Sequence, residues 1–242
     1  MKPKQSASLQ NGPSIKELAV QLNFNPVNEE LFEIAFHHSS YANEHNLPSN
    51  ERLEFLGDSV LALIICNFVY ELYPKYSEGQ LAKLKSTIVS TGVFATFAQQ
   101  LRLNDFIRLG HGELRSHGAQ KKNLLADLFE AFIGAYYLNF GLEKTTEFVL
   151  SLVKPCLPEL IRQTEELNVK TRLQELAQSQ GCKPPDYRLV KEEGPPHNRT
   201  FTVDLAFNGK TLSQGRGKSL QEAQNKAAAA ALAELVARGN EI

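Results

Sequence analysis

Cysteine is scarce in this chain. Cys66, Cys156 and Cys182 are its only three in 242 residues, they lie far apart, and no C-x-x-C pair exists. An odd, dispersed set argues against a disulfide framework or a zinc knuckle and fits a reducing compartment. Long apolar runs are missing as well. The densest, Val60 to Val69, is interrupted by Asn67 and falls short of the roughly 20 residues of a membrane helix. The opening "MKPKQSASLQNGPS" has no apolar h-region, so it reads as a disordered lead-in rather than a signal peptide. Together these absences give a cytoplasmic expectation with no membrane partner. No G-x-S-x-G, P-loop or dinucleotide glycine pattern is present, and the Glu-x-x-His pairs of di-iron bundles are missing. The six histidines fall in loops or at helix ends without ligand spacing, and His38 reads as a structural hydrogen-bonder. Excess charge is lacking too: a formal net charge of −1 gives no bulk argument for nucleic acid or an acidic substrate.

What is present is a 42% hydrophobic, 22% charged chain, the balance of a soluble globular protein long enough for one or two domains with real cores. The near-zero charge hides an asymmetry. From Asn168 onward there are eleven Lys/Arg against eight Asp/Glu, a net of +3, so the remainder carries −4. An acidic body joined to a mildly basic tail suggests divided labour. From about Ser14 to Pro155 the periodicity is helical almost throughout. Ser14 and Glu17 have capping-box spacing, Ser49 or Asn50 can cap a long helix, and Ser77 can cap another. "SSYANEHNLPSN" and "GHGELRSHGAQ" read as loops, "SEGQLAKLKSTIVSTGVFATFAQQL" as one helical stretch, and "NLLADLFEAFIGAYYLNFG" as an apolar helix ended by Gly141. The next helix should end near Pro155. After a linker the texture changes: a helix closed by Gly181, three alternating strand-like segments with a hairpin at Asn208-Gly209, and a final helix. The fold class expected is an all-α domain over 14–154, a linker over 155–167 and a small α+β module (α-β-β-β-α) over 168–238.

In "NERLEFLGDSVLALIICNFV", Glu51, Glu54 and Asp58 are three and four positions apart. At about 100° per residue they share one narrow helical face, while Leu53, Leu56, Val60, Leu61 and Ile64 occupy most of the others. Asp127 and Glu130 repeat the pattern among Leu128, Phe129, Phe132 and Ile133. Two core helices, each with an acidic stripe, imply stripes that face each other. Clustered carboxylates repel strongly where the dielectric is low. An all-oxygen set of this kind suits Mg²⁺, with Mn²⁺ a possible substitute, and such ions activate water in phosphodiester hydrolysis. For Glu51 a bland reading stays open: an acid in the first turn complements the helix dipole, or pairs with an arginine elsewhere.

These residues carry a resemblance. "NERLEFLGDSVL" closely resembles the signature of ribonuclease III, "DLFEAFIGAYY" its second acidic segment and "AFHHSSYANE" its upstream His-x-Ser-Tyr segment, while the tail is similar to a double-stranded-RNA-binding domain. The resemblance covers about residues 14–238. It implies a homodimeric endoribonuclease with the signature helix at the dimer interface. Each subunit would cut one strand of double-stranded RNA, giving staggered cuts with 5′-phosphate and 3′-hydroxyl ends in rRNA precursors, structured mRNAs and tRNA operons. It further implies Glu54, Asp127 and Glu130 as direct metal ligands, Asp58 acting with Glu130 at the chemical step, Glu51 in structural support, and Glu78 as a further acid aiding cleavage. Phe55 is either an apolar knob into the partner subunit or an ordinary core side chain.

A-form RNA is gripped across its minor grooves and phosphates. In the tail, Thr171, Gln174 and Glu175 share a helical face that could reach 2′-hydroxyls. His197 and Asn198 lie in a loop resembling the one that enters the next minor groove. Lys218, Lys226 and Arg216 surround the start of the last helix, where phosphates would sit. The chain departs from the family here: Leu220 and Gln221 stand where a basic pair is usual, which implies weaker or more salt-sensitive binding by the isolated tail. The competing readings are a non-catalytic double-stranded-RNA-binding or ribosome-associated dimer, which has little reason to keep the acidic set, and a helical metal protein unrelated to RNA, against which the tail module argues.

Overall fold

A computed structural model describes residues 13–116, 118–195 and 198–237. The chain divides into two compact units between Leu157 and Pro158. The first unit is built from α1 (Ile15–Gln21), α2 (Glu29–Ala35), α3 (Ser39–His45), α4 (Glu51–Leu72), α5 (Glu78–Ile88), α6 (Thr91–Gln100), the short α7 (His111–Arg115), two 3₁₀ turns, and the opening portion of α8 (Lys122–Ser179). The remainder of α8 enters the second unit, followed by β1 (Asp186–Glu193), β2 (Thr200–Phe207), β3 (Lys210–Gly217) and α9 (Leu220–Ala237). The order β1-β2-β3 is an antiparallel meander. All-α body and α-β-β-β-α tail therefore match the fold class read from the sequence.

Local chemistry explains most boundaries. Ser14 accepts a hydrogen bond from the Glu17 amide, and Ser77 forms a reciprocal capping box with Gln80. Asn208 and Gly209 both have positive φ (50° and 79°), the requirement of a tight two-residue hairpin. Gly141, at φ 79°, interrupts α8 where the sequence placed a helix end.

Other expectations need correction. The first seven residues of the segment expected as a polar loop form α3, with His38 as its N-cap. The glycine-rich loop contains α7 and a 3₁₀ turn. Both are short, with little or no buried face, so no apolar periodicity announces them. The stretch after Ser77 is two helices, split at Val89–Ser90. Asn50 takes the N-cap position of α4 but makes no side-chain capping bond: it is buried and donates to the Ala35 carbonyl, while Ser49 donates to the Glu51 carboxylate. Helix α8 does not stop at Pro155 but runs through it and through Pro158. A proline removes one hydrogen bond and bends a helix without necessarily ending it, and Val153, Leu157 and Leu160 are buried. Finally, α4 is long and apolar enough to cross a membrane by length and composition, contrary to the reading that no run approaches that length. Seven of its residues, from Leu53 to Val69, are buried in the helical body, the pattern of a core helix.

The core positions the site. Phe129 packs on Phe94 and Phe97 at 5.3 and 5.6 Å between centroids, and Phe132 lies against Phe32, Phe36 and Phe148. These rings fix the rotation of α8 about its axis and so aim Asp127 and Glu130 away from the aromatic side. Helices α4 and α8 then cross at van der Waals contact of their backbones. A Cβ on Gly57 would stand 1.8 Å from the Glu130 carbonyl oxygen, and one on Gly134 would stand 2.2 Å from that of Leu53.

Candidate metal centre and RNA-binding surface

This glycine-to-backbone crossing brings the two acidic stripes together. Carboxylate oxygens of Glu54, Asp127 and Glu130 all lie within 4.8 Å of one another. The oxygen shell of a single small divalent cation has edges of about 3–4 Å, so modest side-chain rotation suffices to close the trio on one ion. The donor set is all-oxygen and anionic, as a hard cation requires.

The electrostatics point the same way. Burial, reinforced by the charges of Asp58, Asp127 and Glu54, pushes the Glu130 carboxyl up to about 8. Glu54 is raised by burial and then by Asp127, Glu51 and Asp58. Asp127 is raised by burial, with His38 pulling against it. Carboxylates forced to share protons are stabilised in their ionised form when a cation takes the proton's place.

A pH prediction follows from Glu130. Its folded-state pKa lies above the ordinary glutamate value, so the folded protein holds a proton that the unfolded chain has lost. Without metal, the stability this contributes is fully present at low pH and disappears as pH rises through about 8. Melting temperature in chelator should fall across that window, and Mg²⁺ should oppose the fall with an affinity that climbs with pH. Thermal unfolding at several pH values, with Mg²⁺ or EDTA, checks this. A metal-free melting temperature that rises toward pH 8 would contradict it.

The remaining acids are placed differently. Asp58 is exposed and outside the trio, yet close enough to raise both Glu54 and Glu130. Glu51 is exposed at the start of α4, accepts from Ser49 and raises Glu54. Glu78 stands exposed as the first residue of α5, outside the trio. Phe55 is 78% exposed rather than a core side chain. Sequence reading missed the flank of the site: an open groove of about 510 Å³ beside Asp127, lined by His38, Glu113, Lys121, Lys122 and Asn123. The available signal was Lys-Lys-Asn directly ahead of "LLAD". Lys121 is tied to Glu113 at 2.8 Å. His38 is indeed a structural hydrogen-bonder, accepting at Nδ1 from the Ser40 amide. Gly57 and Gly134 were also missed, although a glycine inside each acidic helix marks a close approach.

In the tail, Leu173, Leu176 and Ala177 turn into a core shared with Leu205, Phe207 and α9. That turns Gln174 and Glu175 outward and leaves Thr171 partly exposed. Gly215 and Gly217 let β3 touch the backbone of α9 at Ala223 and Ala227. Lys218 donates from Nζ to Asn198 Oδ1 at 2.7 Å, joining two of the expected RNA contacts to each other. Lys226 pairs with Glu222, and Arg216 lies 3.7 Å from Glu193. Leu220 is exposed at the start of α9. His197 lies outside the described residues.

A helical body that gathers three carboxylates at a helix crossing, followed by a separate α-β-β-β-α unit, is the arrangement of a metal-dependent nuclease carrying its own duplex-RNA-binding module. Comparison with known proteins agrees. Residues 28–156 match the Ribonuclease-III-like family and residues 169–235 the double-stranded RNA binding motif. Ribonuclease 3 of Lactococcus lactis subsp. lactis is 41% identical over 203 residues, covering 83% of this chain and 87% of that protein. Ribonuclease 3 of Enterococcus faecalis is 43% identical over 212 residues, covering 86% and 91%. The crystal structure of the ribonuclease III nuclease domain of Campylobacter jejuni, described for flexibility in a region involved in dimer formation, superposes with a TM-score of 0.56 at 34% identity, covering 60% of this chain and 99% of that one. The chain belongs to the ribonuclease III family and is an endoribonuclease acting on double-stranded RNA.

Proposed function

We propose that this enzyme is a Mg²⁺-dependent homodimer, with Mn²⁺ as a possible substitute, that makes staggered cuts in double-stranded RNA and leaves 5′-phosphate and 3′-hydroxyl ends. The observation that carries the reading is the convergence of Glu54, Asp127 and Glu130 within 4.8 Å. These three would hold the ion. When bound, it supplies charge neutralisation at the phosphate and a water acidified for attack. Asp58 would act with Glu130 on a proton at the scissile phosphate; its exposure and its closeness to Glu130 support that role. Glu51 holds the start of α4, and Glu78 is assigned a secondary part in cleavage.

Support for the dimer comes from α4. Phe55, Leu63 and Tyr70 are 78%, 55% and 70% exposed and fall within one helical face, an apolar stripe of the kind that marks an interface. In the proposed division, residues 14–154 form the nuclease domain, 155–167 connect it, and 168–238 bind RNA through Thr171, Gln174, Glu175, His197, Asn198, Lys218 and Lys226. The substrates would be rRNA precursors and structured mRNAs or tRNA operons, in the cytoplasm.

The test is incubation of the full chain with a long duplex RNA, with Mg²⁺ or with chelator, followed by sequencing of the ends. Short 3′ overhangs that appear only with metal are expected. Intact duplex in both arms would favour the non-catalytic RNA-binding reading.

A further inference from the structure

The start of α9 holds an arrangement that the RNA-binding reading does not use. Ser219 and Glu222 have capping-box spacing, and the Ser219 hydroxyl accepts from the Glu222 amide at 3.1 Å. The Glu222 carboxylate does more than cap. One oxygen accepts from the Lys218 backbone amide at 2.7 Å, and the other accepts from Lys226 Nζ at 2.7 Å. A backbone amide and an ammonium converging at a helix N-terminus are the donors a phosphate would seek, and here one carboxylate spans both. A second cation of this corner, Lys218 Nζ, is held by Asn198 Oδ1. Leu220 and Gln221 add no charge. An open groove of about 800 Å³ beside these groups, bordered by Arg162, Ser219, Gln221, Glu222 and Lys226, leaves room for an incoming phosphodiester.

We propose that Glu222 is an internal anion that competes with RNA phosphate for the Lys218 amide and the Lys226 ammonium, setting the duplex affinity of the tail below what its lysines would give. The inference rests on the reading of this surface as the RNA-binding face. Binding requires the carboxylate to swing away, so part of the electrostatic gain at Lys226 replaces an ion pair already made, and the contact at the Lys218 amide replaces a hydrogen bond already made. Each phosphate newly neutralised adds close to one to the salt slope. A tail in which Lys226 starts out paired has a shallower slope and a lower affinity than its lysines alone would give.

The test uses Glu222→Gln in the full chain. Glutamine retains the cap, because Glu and Gln serve equally at that position, so the fold is preserved, and thermal unfolding verifies it. Duplex-RNA binding is measured in chelator from low to high KCl. The expected result is about tenfold tighter binding at intermediate salt and a salt slope steeper by about one. Lys226→Ala is the second arm: the loss of affinity it causes should be larger in the Glu222→Gln background than in the parent chain. Equal or weaker affinity with an unchanged slope and no coupling to Lys226 overturns the proposal. If the parent chain itself fails to bind duplex RNA, the RNA-binding assignment of the face falls instead, so the two failures are distinct.

Discussion

Glu130→Gln is expected to lower cleavage of duplex RNA by at least about 10³-fold, the scale lost when a group acting in proton transfer or charge stabilisation is removed. Duplex binding measured in chelator should be unchanged, because Glu130 belongs to the helical body and not to the tail. The same substitution carries a second signature. Glu130 is the acid most strongly raised in the cluster, by burial and by three neighbouring carboxylates. An uncharged amide of nearly the same shape resembles the protonated side chain, so the variant should keep its metal-free stability toward pH 8 while the parent loses it. It should also lose most of the stabilisation by Mg²⁺ that the parent gains. Activity assays with purified duplex, paired with thermal unfolding in EDTA and in Mg²⁺, read both effects. Full activity in the variant would remove Glu130 from the chemistry. Lost activity together with lost stability in EDTA would instead indicate a structural fault. The two readouts move in opposite directions only if the site is a carboxylate cluster awaiting a cation.

Much of this site was legible in the sequence because helix geometry is periodic. Spacings of three and four place Glu51, Glu54 and Asp58 on one stripe, and the same rule pairs Asp127 with Glu130. Apolar neighbours then say that the stripes are carried by core helices. Periodicity does not say which rotation or depth the two helices adopt against each other, so it could not separate Glu54, which joins the trio, from Asp58, which stays in solvent. That information sits in Phe129 and Phe132, which set the rotation, and in Gly57 and Gly134, which set the depth. The tail was legible for a different reason. Strand alternation and the Asn208-Gly209 turn are local signals, and they fix the meander without reference to the body. What stayed hidden there was pairing among polar side chains. Lys218 with Asn198, and Lys226 with Glu222, are bonds across loop and helix turns that composition counts as free charge. Helix α3 and the continuation of α8 past Pro155 were missed because the first has almost no buried face and the second is sustained by packing that no local rule records.

Gly57→Ala should separate fold from function less cleanly than Glu130→Gln, and for that reason it tests the architecture. The added carbon would stand 1.8 Å from the Glu130 carbonyl oxygen and 3.0 Å from the Gly134 amide nitrogen. The obstacle is backbone in the middle of a helix, so no side-chain rotation relieves it, and the helices must move apart. Forcing a methyl group into such a contact is expected to cost about 3 kcal/mol or more, a fall in melting temperature of about 6–12 °C for a domain of this size. Separation of α4 and α8 also widens the gap between Glu54 on one helix and Asp127 and Glu130 on the other. Whatever fraction remains folded should therefore bind Mg²⁺ weakly and show its carboxylates less perturbed. Gly134→Ala, whose new carbon would meet the Leu53 carbonyl oxygen at 2.2 Å, should behave alike. Gly79 and Gly92 supply the control: a Cβ at either meets nothing within 4 Å, and alanine there should be neutral or stabilising by a few tenths to about 1 kcal/mol. Unfolding curves and Mg²⁺ titrations of the four variants decide the matter. If Gly57→Ala melted and bound metal like the parent, the close crossing of α4 and α8 would not be what assembles the carboxylates. If it lost both while Gly79→Ala lost neither, the crossing would be the element that turns two acidic stripes into one site.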